Sequence, residues 1–237
     1  MSNSPRLSDS LIGNIKNAES QQQDIKIKSI VQVVLNRLKA KYPLLALGYQ
    51  PQLPLHDIEV LVNKEEIKSG SDSFIRPDGG FLWVEIEGMK HYILVSEQKK
   101  QGTNDQRHLD GKGIQSKGNA AERLGKNIKA FDVLFGDVDI YPFIVFLQGC
   151  DFFDAESTIG DRIRTIAMFS ELNKINLYWK KLQKNTSVGG SYFMRGHSYR
   201  EKPGTSDWTE DEMLQPMLHI AEESLKYYLS KYGKGEI

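Results

Sequence analysis

The sequence predicts an α/β fold: a single domain with a central mixed β-sheet flanked by helices. Three observations carry that reading. Ile27, Ile30, Val34, Leu38 and Tyr42 recur at three- and four-residue steps, the period of a helix with one buried stripe. Phe81–Ile86 and His91–Glu97 are two apolar runs separated by Glu87-Gly88-Met89-Lys90, the pattern of a β-hairpin. Pro142–Leu147 is wholly apolar and follows Gly136-Asp-Val-Asp, as expected of a central strand covered on both faces.

The remaining elements follow in order. Residues 1–21 are polar and lead into Gln21-Gln22-Gln23, so they are expected to form a mobile arm or a loosely docked helix ahead of a domain spanning 22–237. Pro43, Pro51 and Pro54 interrupt the next stretch, and Asp57 is placed to cap a short helix through Val62 and Glu66. The β pattern begins at Phe74. Residues 100–118 lack an apolar period and carry Gly102, Gly111, Gly113 and Gly118, which predicts a long loop of the functional or disordered kind. Asn119 is a candidate N-cap, with Glu122 at N3 and a buried stripe of Ala120, Leu124, Ile128, Phe131 and Leu134. A helix is expected over 161–171, strands over 175–179 and 191–195, and a closing helix from Thr209 to Tyr232. Neither an internal repeat nor an interdomain linker is visible. Helices and strands interleaved in this way form layered α/β architectures.

Composition narrows the function. A chain of 237 residues and 27.0 kDa buries roughly 70% of its unfolded surface, enough for a core without covalent staples. The lone Cys150 excludes an internal disulfide framework and a multi-cysteine zinc site. No apolar run reaches membrane-spanning length, and Met1–Ser10 lacks the charged and apolar regions of a secretory signal. A cytoplasmic protein without a membrane partner is expected. Lys plus Arg and Asp plus Glu both total 31, which removes the simplest argument for a nucleic-acid partner. Local charge says more: between Glu97 and Lys129 eight basic residues stand against four acidic ones. That segment is either a lysine-rich solvated surface or the face that meets a polyanion.

The chemistry is concentrated at one end of the hairpin. Alternation along the second strand puts Glu97 and Lys99 on one face with Ile93 and Val95. Charged groups continuing an apolar face are costly unless paired or bound to an ion. Asp78, in Pro77-Asp78-Gly79-Gly80, precedes the partner strand, and the hairpin can bring its carboxylate beside Glu97. Two clustered carboxylates repel unless a cation lies between them, and hard oxygen donors with open positions suit Mg²⁺. Lys99 could then steer an attacking water or offset transition-state charge. Pro-Asp-Gly-Gly is equally a good turn by itself, and Glu-x-Lys alone is a common string.

The second element is Gly118-Asn119-Ala120-Ala121-Glu122-Arg123, which follows the glycine-rich basic loop. Asn119 and Arg123 share a helical face at i, i+4. Asparagine pairs bidentately with adenine, arginine reads base edges in the major groove, and Gly118 permits close approach of the backbone to DNA. The plainer alternative makes Asn119 only a cap and Arg123 a partner for a surface acid.

Together, Ile75–Gly80, Leu94–Gly102 and Gly118–Arg123 resemble the catalytic and recognition segments of the EcoRI/MunI-like type II restriction endonucleases, of the PD-(D/E)xK superfamily. The resemblance covers about residues 70–150 well and extends more weakly to about residue 195. It implies the restriction-endonuclease-like core, with Asp78, Glu97 and the backbone carbonyl of Gln98 holding Mg²⁺ and Lys99 as the catalytic lysine. It implies that Asn119, Ala120 and Arg123 read an inner AATT while Glu122 orients the recognition arginines across a homodimer. The substrate would be double-stranded DNA with a palindromic site, cut by in-line water attack to leave 5′-phosphate ends. A DNA methyltransferase would be the functional partner.

Two departures leave the outer base pair open. Lys117 stands where MunI-type members carry an arginine and EcoRI-type members a small residue. A lysine there can read guanine, as in CAATTG, or contact a phosphate. Asp161-Arg162-Ile163-Arg164 resembles an EcoRI-type segment near the outer-base contacts, with Arg162 the matched residue. CAATTG, GAATTC or a bare AATT site are all compatible. Other chemistry finds no support: Gly113–Gly118 imitates a P-loop, but Asn119-Ala120 replaces its Lys-Ser/Thr, and the five histidines lack metal-ligand spacing. The competing readings are a structure- or lesion-specific nuclease on the same core and a non-catalytic DNA-binding protein.

Overall fold

A computed structural model of the chain describes residues 5–54, 74–100, 108–111, 124, 127, 130–131, 133–136, 138–148, 198–202 and 208–233. Its elements are α1 (Pro5–Lys41), β1 (Leu47–Gln50), β2 (Leu53–Pro54), β3 (Phe74–Ile75), β4 (Gly80–Ile86), β5 (Met89–Lys100), β6 (Phe143–Gln148), β7 (Ser198–Lys202) and α2 (Glu210–Lys231). Leu124, Asn127, Ala130, Phe131, Val133 and Leu134 are helical as well.

Five strands form one sheet in the order β1-β4-β5-β6-β7. β1, β4 and β5 pair antiparallel, whereas β5, β6 and β7 pair parallel. The expected mixed sheet is therefore present. The hairpin turn is only Glu87-Gly88, with φ of 54° and 77°; positive φ at both central residues matches the right-handed twist of the strands it joins. β6 lies parallel to β5, so the chain must cross over between them, and the helical residues from Leu124 to Leu134 lie within that crossover.

The apolar pattern sorts into two layers. On one face, α1 and α2 pack against Leu82, Val84, Ile86, Leu94, Ile144 and Phe146. The expected stripe of Ile27, Ile30, Val34, Leu38 and Tyr42 is buried there in full. On the other face, Leu124, Ala130, Phe131 and Phe135 pack on Phe81, Val95, Phe143 and Val145. β6 sends Ile144 and Phe146 to one layer and Phe143 and Val145 to the other, as its uninterrupted apolar run implies.

One expectation fails in an informative way. The register pairs Leu82 with Leu94 but Trp83 with Tyr92, leaving Ile93 as an extra residue. This β-bulge breaks the two-residue alternation, so Ile93 joins Leu94 in the α1–α2 layer rather than sharing a face with Val95. Val95 and Glu97 keep their common face. β1, β2 and β7 were not anticipated. The Asp57-capped helix, most of the 100–118 loop, and the elements expected over 161–171, 175–179 and 191–195 lie outside the described residues. No described helix is long and apolar enough to cross a membrane.

α2 matches its expected span. Thr209 is the N-cap: its Oγ1 accepts the Glu212 N–H at 3.2 Å, and the Glu212 carboxylate accepts the Thr209 N–H at 2.8 Å. This reciprocal box satisfies two donors that the helix leaves free. Thr209→Ala should lower the unfolding free energy by about 1 kcal/mol, read as a lower midpoint in urea with an unchanged slope; an unmoved midpoint would show that the box contributes nothing.

Candidate active site at the end of β5

Pro77–Gly80 is a turn, closed by the Gly80 N–H donating to Pro77 O at 3.0 Å, and it places Asp78 against β5. The Gly79 N–H donates to Ser96 O at 2.9 Å. One step further, the Asp78 carboxylate accepts the Gln98 N–H through Oδ2 at 3.0 Å, doing for β5 what a backbone carbonyl would do in a longer β4. The approach is close: a Cβ on Gly79 would lie 2.0 Å from Ser96 Oγ and 3.2 Å from Ile27 Cγ1. The turn and the site are thus one feature.

Glu97 is only 1% exposed. Lys99 Nζ lies 2.5 Å from Glu97 Oε1 and 2.9 Å from Asp78 Oδ2, so one ammonium joins both carboxylates. Asn127, from the helical stretch on the same face, donates its Nδ2 to both Glu97 oxygens at 3.0 and 3.1 Å. Burial pushes the Glu97 carboxyl up to about 7; the Lys99 charge opposes this shift and Asp78 adds to it. Burial lowers the Lys99 pKa, but Glu97 and Asp78 outweigh it and the net shift is upward. Asp24 of α1 is also raised, first by burial and then by the Asp78 charge, with Lys28 and Lys99 opposing. Its carboxylate therefore belongs to the same electrostatic neighbourhood.

The donor set fits a hard divalent cation. Asp78 and Glu97 already converge on a positive charge, and both offer oxygens. Among the described residues no group of three or more His, Cys, Asp or Glu side chains is assembled. An ion held by this pair would complete its shell from backbone, water or a substrate phosphate, which is how Mg²⁺ is commonly bound.

Of the residues singled out in the sequence, Asp78, Glu97, Gln98 and Lys99 come together here. Lys117, Gly118, Asn119, Ala120, Glu122, Arg123 and Arg162 lie outside the described residues. Asn127 and Asp24 were missed. A signal for Asn127 existed: it follows Leu124 by three positions and precedes Phe131 by four, so it is a polar residue on an apolar stripe.

The chain matches the model of the family described as restriction endonuclease EcoRI over residues 10–160. It is 25% identical to the type II restriction enzyme RsrI of Cereibacter sphaeroides, across 90% of this chain and 87% of that protein. It is 27% identical to the type II restriction enzyme EcoRI of Escherichia coli, across 62% of this chain and 58% of that one.

Two consequences of the geometry can be measured. Gly79→Ala should destabilise the fold by on the order of 1–3 kcal/mol through overpacking. Ser96→Ala should recover part of the loss, since Ser96 Oγ is buried without a hydrogen-bond partner among the described residues; additive costs in urea unfolding would refute the contact. The raised Glu97 carboxyl means that the folded state keeps a proton which the unfolded state releases between 4.5 and about 7. Metal-free protein should therefore lose stability as pH rises through that window. Glu97→Gln should flatten the dependence of Tm on pH, and equal slopes for both proteins would contradict the shift.

Proposed function

The chain belongs to the EcoRI restriction endonuclease family, and from that premise we propose that this type II site-specific deoxyribonuclease is a Mg²⁺-dependent enzyme cutting double-stranded DNA at a palindrome containing AATT. The observation that carries this reading is the convergence of Asp78 and Glu97 on one ammonium at the end of β5. Asp78, Glu97 and the Gln98 carbonyl would hold the ion. Mg²⁺ bound there would supply positive charge to the scissile phosphate and make a bound water more acidic.

The chain's own residues do the rest. Lys99 carries three donors on a flexible stem and is already held at the carboxylate pair, within reach of an incoming phosphate oxygen or the water that attacks it. Asp78 is fixed by the Gln98 N–H, and Glu97 by Asn127, so neither carboxylate needs large rearrangement when substrate arrives. In-line attack would leave 5′-phosphate and 3′-hydroxyl ends.

Recognition is assigned to Gly118, Asn119, Ala120 and Arg123 at the AATT core, with Glu122 orienting arginines across the interface. Lys117 and Arg162 are the candidates for the outer pair, which makes CAATTG and GAATTC the two leading sites. A homodimer lets each subunit read one half-site and cut one strand. A DNA methyltransferase of the same specificity would protect the host genome.

The test is digestion of a sequenced plasmid carrying CAATTG, GAATTC and isolated AATT sites, with Mg²⁺ or EDTA, followed by sequencing of the ends. Cleavage confined to an AATT palindrome, requiring Mg²⁺ and leaving 5′-phosphates, is expected. Lys99→Ala should reduce it about 100-fold or more while specific binding persists. Cutting in EDTA, or cutting of branched DNA with the palindromes intact, would overturn the assignment.

A further inference from the structure

We propose that Asn127 is the positioning residue for the Glu97 carboxylate, holding it in the orientation that a divalent cation requires. The inference rests on the metal-dependent reading of the site.

Glu97 ends in a freely turning carboxylate, because its terminal torsion is broad and roughly two-fold. An ionised carboxylate has about four lone-pair positions. Asn127 Nδ2 takes one on each oxygen, at 3.0 and 3.1 Å, and this two-point contact fixes the carboxylate plane. Lys99 Nζ takes one more on Oε1, at 2.5 Å.

The two partners differ in kind. Lys99 is a charged group on a flexible chain, able to withdraw when another cation arrives. Asn127 is neutral, so it orients the carboxylate without competing for its charge. It is also anchored: one helical turn on, Phe131 is fully buried, and its ring centroid lies 4.7 Å from that of Phe143 on β6. Since Glu97 pairs in register with Val145 of the same strand, Asn127 and Glu97 are referred to one rigid frame. Groups that hydrogen-bond a metal-ligating side chain set its orientation, and their loss weakens metal affinity by about 10–100-fold.

The experiment uses the full-length protein bound to a duplex containing its site. Asn127→Leu keeps the side-chain size and removes the donor; Asn127→Ser truncates it and serves if the leucine variant fails to fold. Mn²⁺ uptake by the protein–DNA complex is followed by electron paramagnetic resonance, and single-turnover cleavage is followed against Mg²⁺ concentration. Mn²⁺ affinity should fall about 10-fold or more, and half-saturating Mg²⁺ should rise by a similar factor. Saturating Mg²⁺ should recover cleavage lost at limiting Mg²⁺, and DNA affinity in EDTA should stay near wild type, while the Tm falls because the buried Glu97 loses two hydrogen bonds. Unchanged Mn²⁺ affinity, or a loss of DNA binding in EDTA in step with activity, would overturn the role of Asn127. Wild-type protein that takes up no Mn²⁺ on DNA would instead overturn the metal-dependent reading, and this inference with it.

Discussion

Glu97 is an ionisable carboxyl buried on an otherwise apolar sheet face, and the features around it make that burial tolerable. Taking a carboxylate out of water costs several kcal/mol unless charge and hydrogen bonds replace the lost hydration. Lys99 supplies the charge and Asn127 two hydrogen bonds. Asp78, less buried, shares the same ammonium. Burial raises the Glu97 carboxyl by more than the Lys99 charge lowers it, and the Asp78 charge adds to the rise, so its ionised form is not fully compensated. A site that is under-compensated in this way is poised to take up a cation.

The sheet topology is what permits it. β5 is paired with β4 from Met89 to Ser96 and with β6 from Val95 onward. Beyond Ser96 β4 has turned away at Gly80, and the Asp78 side chain takes over the Gln98 N–H. β5 therefore runs past its antiparallel neighbour while still held by parallel β6 through Lys100. A rigid strand end with one open flank is a suitable platform for reactive groups, since positions on strands and helices are held more firmly than positions on loops. The bulge at Ile93 also matters. It lets two consecutive apolar residues fill the α1–α2 layer while Glu97 still faces the helical stretch that supplies Asn127.

Much of this was legible in the sequence where the determining contacts are local. Asp78, Glu97 and Lys99 lie within one hairpin, so strand pairing alone brings them together, and the α1 stripe and α2 span follow from helical periodicity. The Ile93 bulge was not legible, because an apolar residue at that position satisfies either register. Asn127 is a polar residue on an apolar stripe, but its partner lies 30 residues away, and helical periodicity does not say which residue it meets. β7 follows the 149–197 region and pairs with β6 over a long separation; its polar Ser198–Lys202 run carries no apolar alternation to mark it. The string Gly118–Arg123 runs directly into Leu124 and Asn127, so the residues assigned to base reading and the clasp on Glu97 share one continuous stretch of chain.

The most direct measurement is a crystal structure of the protein on a duplex containing its palindrome, soaked in Mn²⁺ and phased to locate the ion by anomalous scattering. One peak ligated by both Asp78 and Glu97 is expected, with the Lys99 ammonium moved off the carboxylates toward the scissile phosphate and Asn127 still on Glu97. A peak that lacks either carboxylate, or Lys99 still bridging the pair with DNA and metal present, would contradict it.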